Sequence, residues 1–161
     1  MVTSKFQKIS VTFIILLSVL NLLPYTDWEY HLFFNSKQMV IDERVKPEVN
    51  EVVKEFYKRG VPLHQICEES FLISVDDCML PNLWGIAEGA GIPNKVFISL
   101  NKDIIKTPKE FRKWVIAHEF AHELGYFHDD DLMIMWPFFS QGYDKALNEL
   151  TTKILEKNLV N

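Results

Sequence analysis

One stretch of eleven residues constrains this chain more than any other, because residues 118–128 follow the pattern H-E-x-x-H-x-x-G-x-x-H. Three of the five histidines of the chain lie within it. His118 and His122 are four residues apart, so on a helix both imidazoles lie on one face and can bind the same metal ion. Glu119 directly follows the first histidine, which predicts a carboxylate beside the metal rather than bound to it.

A third ligand at His128 requires the helix to end soon after His122, since a continued helix would carry position 128 away from the metal. Gly125 lies between them, and glycine adopts at little cost the left-handed conformation that ends many helices. The spacing therefore predicts three histidine ligands and a fourth position open to water, as in catalytic zinc sites. A structural zinc site is the alternative, although such sites usually have four protein ligands and favour cysteine.

With the residues that follow it, this stretch resembles the metzincin zinc peptidases, whose signature is the same pattern followed by a methionine turn. Met135-Trp136-Pro137 is similar to the Met-Tyr-Pro of the matrixin branch, and the Trp-Pro favours Met135 over Met133 as the turn residue. Asp129 is more similar to the adamalysin branch, so the branch stays open. Both methionines could also be ordinary core residues.

The resemblance implies a zinc-dependent peptidase, more readily an endopeptidase than an exopeptidase, that acts on a peptide or protein substrate. It implies that Zn²⁺ is bound by His118, His122 and His128. It also implies that Glu119 is the catalytic general base. A membrane-tethered zinc-binding module without turnover is the alternative function. Tyr143 follows the methionine turn, but its spacing does not match the tyrosine of the family, so it is not assigned to the site.

The first 24 residues predict export. Residues 9–23 are almost entirely apolar and follow two lysines, as in a signal peptide or an uncleaved signal-anchor. No convincing cleavage site follows, the run is short for a spanning helix of about 20 residues, and a buried soluble helix is the alternative. We therefore divide the chain into a segment 1–24 and a catalytic domain 25–161. The domain is expected to be secreted, or anchored in a membrane and facing outward.

Charge and cysteine content constrain partners and compartment. The net charge is −5, and acidic and basic residues are interspersed without a Lys/Arg cluster, which excludes nucleic acid as an expected partner. Cys67 and Cys78 could form a disulfide in an oxidising compartment, or both could be free thiols. Residues 129–131 are three aspartates, which could form a solvated loop, or Asp129 could accept a hydrogen bond beneath the site.

The remaining pattern predicts an α+β fold. A mixed, twisted sheet is expected to pack on the active-site helix and a C-terminal helix, after the N-terminal hydrophobic helix. Apolar residues recur at helical spacing from Pro47 to a stop at Gly60. Thr107-Pro108-Lys109-Glu110 predicts a capping box at the start of the active-site helix. The expected strands are residues 30–34, 71–75, 85–87 and 95–100, and the expected C-terminal helix is Tyr143–Leu159.

The strand before the active-site helix carries a further expectation. By resemblance to the metzincins, residues 94–100 should line the cleft, where a free strand edge can pair with an extended substrate through main-chain hydrogen bonds. An interior strand without a free edge is the alternative.

Overall fold

The computed structural model describes residues 38–61, 63, 70–90, 92, 95–128, 131–135 and 142–159. Several predicted features lie outside these residues: the hydrophobic segment 1–24, the strand 30–34, Cys67, Asp129, Asp130, Trp136 and Pro137. Cys78, the cysteine that is described, is exposed and has a free thiol, so the structure gives no support to the disulfide. None of the helices in the described ranges is long and apolar enough to span a membrane.

A four-stranded mixed sheet forms the centre of the fold. Its strands are β1 (Gln38–Ile41), β2 (Ser70–Asp76), β3 (Gly85–Ala87) and β4 (Lys95–Asn101). Their order is β1-β2-β4-β3; the first three are parallel, and β3 runs antiparallel to β4. Alternate residues of β2 and β4 are buried, as expected for a sheet with one face against helices. The strands predicted at 71–75, 85–87 and 95–100 are confirmed.

Three helices complete the described fold: α1 (Lys46–Lys58), α2 (Lys109–Glu123) and α3 (Tyr143–Leu159). The α+β prediction is confirmed, and so are the helix after Pro47 and the C-terminal helix. Val49, Val52 and Phe56 of α1 are fully buried, as their spacing predicts. Tyr57 is half exposed, because the buried stripe of α1 ends before it reaches this position.

An aromatic cluster holds α2 in place. Phe120 of α2 stacks on Phe71 of β2 at a ring separation of 5.8 Å and meets Phe56 of α1 edge-on at 6.1 Å. All three rings are almost fully buried, and truncating a buried Phe to Ala typically costs about 3–5 kcal/mol. Phe120 lies between Glu119 and the second histidine of the motif, so the core that stabilises the fold also fixes the orientation of the site.

The capping box predicted at the start of α2 is wrong. The cap position is Pro108, which provides no side-chain hydrogen bond, and Glu110 does not reach back to Thr107. The Thr107 hydroxyl instead donates to the Ile104 carbonyl at 2.7 Å, because a 3₁₀ turn, Lys102–Lys106, ends directly before it. Thr107 therefore closes the preceding turn rather than opening the helix.

The free edge that was expected at residues 94–100 belongs to another strand. β4 is hydrogen-bonded on both sides, to β2 and to β3, and is therefore interior. Edge strands are typically short and interrupted by glycine, whereas a long apolar run is typical of a central strand. Gly85–Ala87 has the first character and Lys95–Asn101 the second, so β3 is the edge of the sheet on this side.

Candidate metal centre

The three predicted histidine ligands converge. The Nε2 atoms of His118 and His122 are 3.2 Å apart, and so are those of His118 and His128. A tetrahedral ion with metal–nitrogen distances of about 2.0–2.1 Å separates its ligands by about 3.3 Å. These three residues form a group that could hold a metal ion, the one group of His, Cys, Asp and Glu side chains with that property among the described residues.

Backbone carbonyls fix the protonation of two of the rings. His118 Nδ1 lies 2.8 Å from the Ile134 oxygen, and His122 Nδ1 lies 2.9 Å from the Tyr126 oxygen. A carbonyl only accepts hydrogen bonds, so each Nδ1 donates and each Nε2 of the neutral ring presents a lone pair. Two lone pairs at this separation repel each other, whereas a cation between them would bind both. The donor set therefore fits a metal ion.

Burial keeps these rings neutral. It lowers the pKa of His118 to about 4; the hydrogen bond to Ile134 raises that pKa in part, and the neighbouring His122 and His128 lower it further. Burial also lowers the pKa of His122, against the effect of its hydrogen bond to Tyr126. Because histidine binds metals as the neutral imidazole, protons compete little for these two ligands at pH 7.

The turn that brings His128 to the other rings is a Schellman motif. α2 ends at Glu123, and Gly125 has a φ of +81°, as its position in the pattern predicts. The Gly125 N–H donates to the His122 carbonyl at 2.9 Å, and the Tyr126 N–H donates to the Ala121 carbonyl at 3.0 Å. The same turn aims the Tyr126 carbonyl at His122 Nδ1. It therefore provides hydrogen-bond donors for the last carbonyls of α2 and also orients a candidate ligand.

A 3₁₀ turn, Met133–Met135, contacts the site through His118. It supplies the Ile134 carbonyl that holds His118, and the Met133 N–H donates to Glu149 of α3 at 2.8 Å. Met135 is fully buried and lines the cleft, whereas Met133 is only half-buried. Met135, the methionine favoured by the sequence, thus lines the same cleft as the three histidines.

Glu119 lies in the wall of the cleft beside the histidines, and its side chain is only 4% exposed. Burial raises its pKa to about 8; the backbone N–H of Ala87 lowers the pKa in part, and the charge of Glu123 raises it. A Cβ on Gly85 would lie 2.5 Å from Glu119 Oε1. Glycine at this position of β3 therefore leaves the space that the carboxylate occupies.

A second buried carboxylate, which the sequence analysis did not identify, lies one helical turn further along α2. Glu123 Oε1 accepts the backbone N–H groups of Gly89 and Phe97, at 3.1 and 3.2 Å. Its Oε2 is buried and has no hydrogen-bond partner among the described residues. The sequence carried two signals for this contact: Glu123 is four residues after Glu119, and Gly89 is four residues after Gly85.

These groups open into a cleft of about 730 Å³. One wall is β3 with its flanking loops, the other is α2, and Phe127 and Met135 also line the cleft. Trp84 and Phe111 meet edge-on across it at a ring separation of 5.2 Å. Tyr143 does not line the cleft: it is buried beside Glu55 and beneath Lys113, so leaving it out of the site agrees with the structure.

No protein-family model, curated protein or solved structure matches this chain. What can be said of the site therefore comes from its residues: three convergent imidazoles that could hold a metal ion, and a buried carboxylate beside them in an open cleft.

Proposed function

We propose that the chain is a zinc-dependent peptidase of the metzincin type, with His118, His122 and His128 as the metal ligands. The observation that carries the proposal is the pairing of three convergent imidazoles, two of them oriented by backbone carbonyls, with a buried carboxylate that directly follows the first histidine in the chain. Three nitrogen ligands leave one coordination position for water or substrate, and this donor set suits Zn²⁺. The bound ion would supply a Lewis acid that polarises a carbonyl.

Glu119 is the proton carrier in this reaction. A carboxylate with a pKa near neutrality can take a proton from the attacking water and pass it to the leaving amine. A dication on the histidines lowers the pKa of Glu119 relative to the metal-free chain, because it favours the charged carboxylate. The Ala87 N–H opposes the effect of burial and favours the ionised carboxylate.

In this proposal an extended peptide pairs with outward backbone groups of β3 other than the Ala87 and Gly89 N–H groups, which face Glu119 and Glu123 of α2. No strand lies beyond β3 among the described residues, and backbone groups of an edge strand can pair with any peptide irrespective of its side chains. The described residues that line the cleft include no lysine or arginine, and Glu119 is the only carboxylate among them. An acidic substrate side chain would find no opposite charge there, and a basic one would find only Glu119, which the reaction uses, so the proposed substrates carry uncharged, apolar residues next to the cleaved bond.

Glu119→Gln tests the proposal. The variant is expected to bind one equivalent of zinc as tightly as the wild type, and to lose at least about 10³-fold in kcat/KM on a peptide library, because an amide cannot carry the proton. Glu156→Gln, on the exposed side of α3, is the matched control and should keep full activity. Wild-type cleavage sites should be rich in bulky apolar residues.

A zinc-binding module without turnover is the competing proposal. Such a module has no need for Glu119, which is not a metal ligand. Burying an ionisable carboxyl group costs free energy, which a binding function alone does not explain. If the zinc-loaded wild type cleaves nothing in a denatured-protein digest and a peptide library, the binding module is the better description.

Export of the domain also remains a proposal, based on residues 1–24 alone. If the domain is anchored, protease added to intact cells should degrade residues 25–161. If it is secreted, these residues should be found in the medium. Full protection of these residues inside the cell would contradict export.

A further inference from the structure

The hydrogen bonds of β3 alternate between two partners. Towards β4, the Trp84 carbonyl accepts the Asn101 N–H at 3.0 Å, and the Glu88 N–H donates to the Phe97 carbonyl at 2.7 Å. The N–H groups of Ala87 and Gly89 therefore point the other way, since successive backbone groups of a strand face opposite edges. On that side lies α2, so these two N–H groups face a helix rather than solvent.

Two glutamates of α2 receive these two N–H groups. Gly89 donates to Glu123 Oε1 at 3.1 Å, and the Ala87 N–H lies close enough to Glu119 to oppose the effect of burial on the pKa of that carboxyl. Four residues of a helix rise about 6.0 Å, and two residues of a strand rise about 6.6–6.8 Å, so the two spacings nearly match. This part of the edge strand therefore lies along α2, with one carboxylate for each of these two N–H groups.

Glu123 also marks where pairing between β3 and β4 stops. In a regular antiparallel pair Glu88 and Phe97 would exchange two hydrogen bonds, but the Phe97 N–H donates to Glu123 instead. Without this carboxylate the ladder could extend by one bond, which would draw residues 88 and 89 towards β4 and away from α2. The Gly89 backbone can approach Glu123 closely because glycine has no Cβ. A Cβ at this position would lie 2.7 Å from Glu123 Oε2.

We propose that Glu123 is a positioning residue: it holds the end of β3 against α2, and thereby keeps the Ala87 N–H on Glu119 and the strand edge at a fixed distance from the three histidines. It touches neither the histidine nitrogens nor the cleft. Its effect on turnover rests on the proposed peptidase function, whereas its effect on the strand does not.

The test uses the full-length zinc-loaded chain in detergent and compares Glu123→Ala with Glu123→Gln. Alanine leaves two buried N–H groups without an acceptor, whereas glutamine keeps an oxygen where Oε1 lies. In Glu123→Ala the Ala87 amide should exchange its hydrogen at least about 10-fold faster, although Ala87 does not touch Glu123. Zinc affinity should stay within about 3-fold, while kcat falls by about 30-fold with KM little changed.

Glu123→Gln should return both amide exchange and kcat to within about 3-fold of the wild type. Glu156→Ala on α3 is the surface control for both measurements. An unchanged Ala87 exchange rate in folded Glu123→Ala overturns the proposal, and so does a Glu123→Gln variant as impaired as Glu123→Ala. A loss of stability with unchanged kcat below the melting temperature would show a role in folding only, and would also overturn it.

Gly89→Ala provides a second route if Glu123→Ala does not fold. The added methyl displaces the Glu123 carboxylate, so the Ala87 amide should again lose protection while zinc binding persists. Retained protection of Ala87 in this variant would contradict the proposal. Should the wild type cleave no peptide at all, the proposed function fails, but the exchange measurements still decide the role of Glu123.

Discussion

The two walls of the cleft originate differently in the sequence. The metal side, from His118 to Met135, is one continuous stretch in which a helix, a Schellman turn and a 3₁₀ turn each supply a ligand or the carbonyl that orients one. The opposite wall is β3. Its position depends on pairing with β4, which joins it to the rest of the sheet. Local spacing determines the first wall, and tertiary pairing determines the second.

Each wall depends on a glycine, and the two glycines serve for different reasons. Gly125 has a φ of +81° and no atom within 4 Å of where its Cβ would be, so its requirement is purely conformational. Gly85 has an ordinary strand conformation, but its Cβ would lie 2.5 Å from Glu119 Oε1 and 2.8 Å from its Cγ, so its requirement is purely steric. The same substitution at both positions therefore tests the two walls separately.

Gly85→Ala should have the larger effect. The methyl group must displace the Glu119 carboxylate or push β3 away from α2, and misplacing a catalytic group by about 1 Å can cost about 100-fold in rate. We expect kcat/KM to fall by about 100-fold, while zinc affinity, measured by competition with a chelating dye, stays within about 3-fold. Unchanged cleavage by the alanine variant would show that Glu119 is not confined by β3.

The pH dependence of stability sharpens the comparison, because it isolates the α2 carboxylate that packs against Gly85 of β3. Burial raises the pKa of Glu119 from 4.5 to about 8 in the metal-free chain. The folded state thus holds a proton that the unfolded state releases above pH 4.5, so this stabilisation is full below pH 4.5 and is lost as the pH rises through 8. Glutamine at this position cannot ionise and should remove that loss.

Metal-free Glu119→Gln is therefore expected to match the wild type near pH 4.5 and to exceed it by about 2–4 kcal/mol at pH 8.5 in urea unfolding. The lowered pKa of His118 changes both proteins alike, so it cancels in the difference. Saturating zinc should shrink the gap, since a nearby cation favours the ionised carboxylate. Parallel stability curves over this pH range would show that Glu119 is not buried as an acid.

The same contrast explains what could be predicted from the sequence. The ligand set and the turn at Gly125 follow from spacing along one helix and its end, where chain geometry alone decides which side chains meet. β2, β4 and the three helices follow from apolar periodicity. The free edge was expected at residues 94–100 by resemblance to the metzincins, and strand propensity could not correct this, because the position of a strand within a sheet depends on long-range pairing.

Glu123 escaped prediction for a related reason. A glutamate near the end of a helix normally indicates an exposed residue, and only the approach of the Gly89 and Phe97 backbones makes it a buried acceptor. The capping box at Thr107 failed because the 3₁₀ turn before it competes for the same hydroxyl. Both errors concern a polar side chain whose partner comes from a neighbouring element rather than from its own.

Gly125→Ala should have the smallest effect of the three changes. Alanine must adopt a left-handed conformation, which costs about 1–2 kcal/mol, but nothing obstructs the added methyl group. Part of this cost falls on the Schellman turn that aims Tyr126 at His122, so zinc affinity should drop by about 3- to 10-fold while kcat of the zinc-saturated enzyme stays near that of the wild type. Gly125→Asn is the matched control, because asparagine tolerates this conformation better and should recover part of the affinity. A fall in kcat at saturating zinc, without a change in affinity, would mean that the turn acts on the β3 wall, and the separation of the two walls would then be wrong.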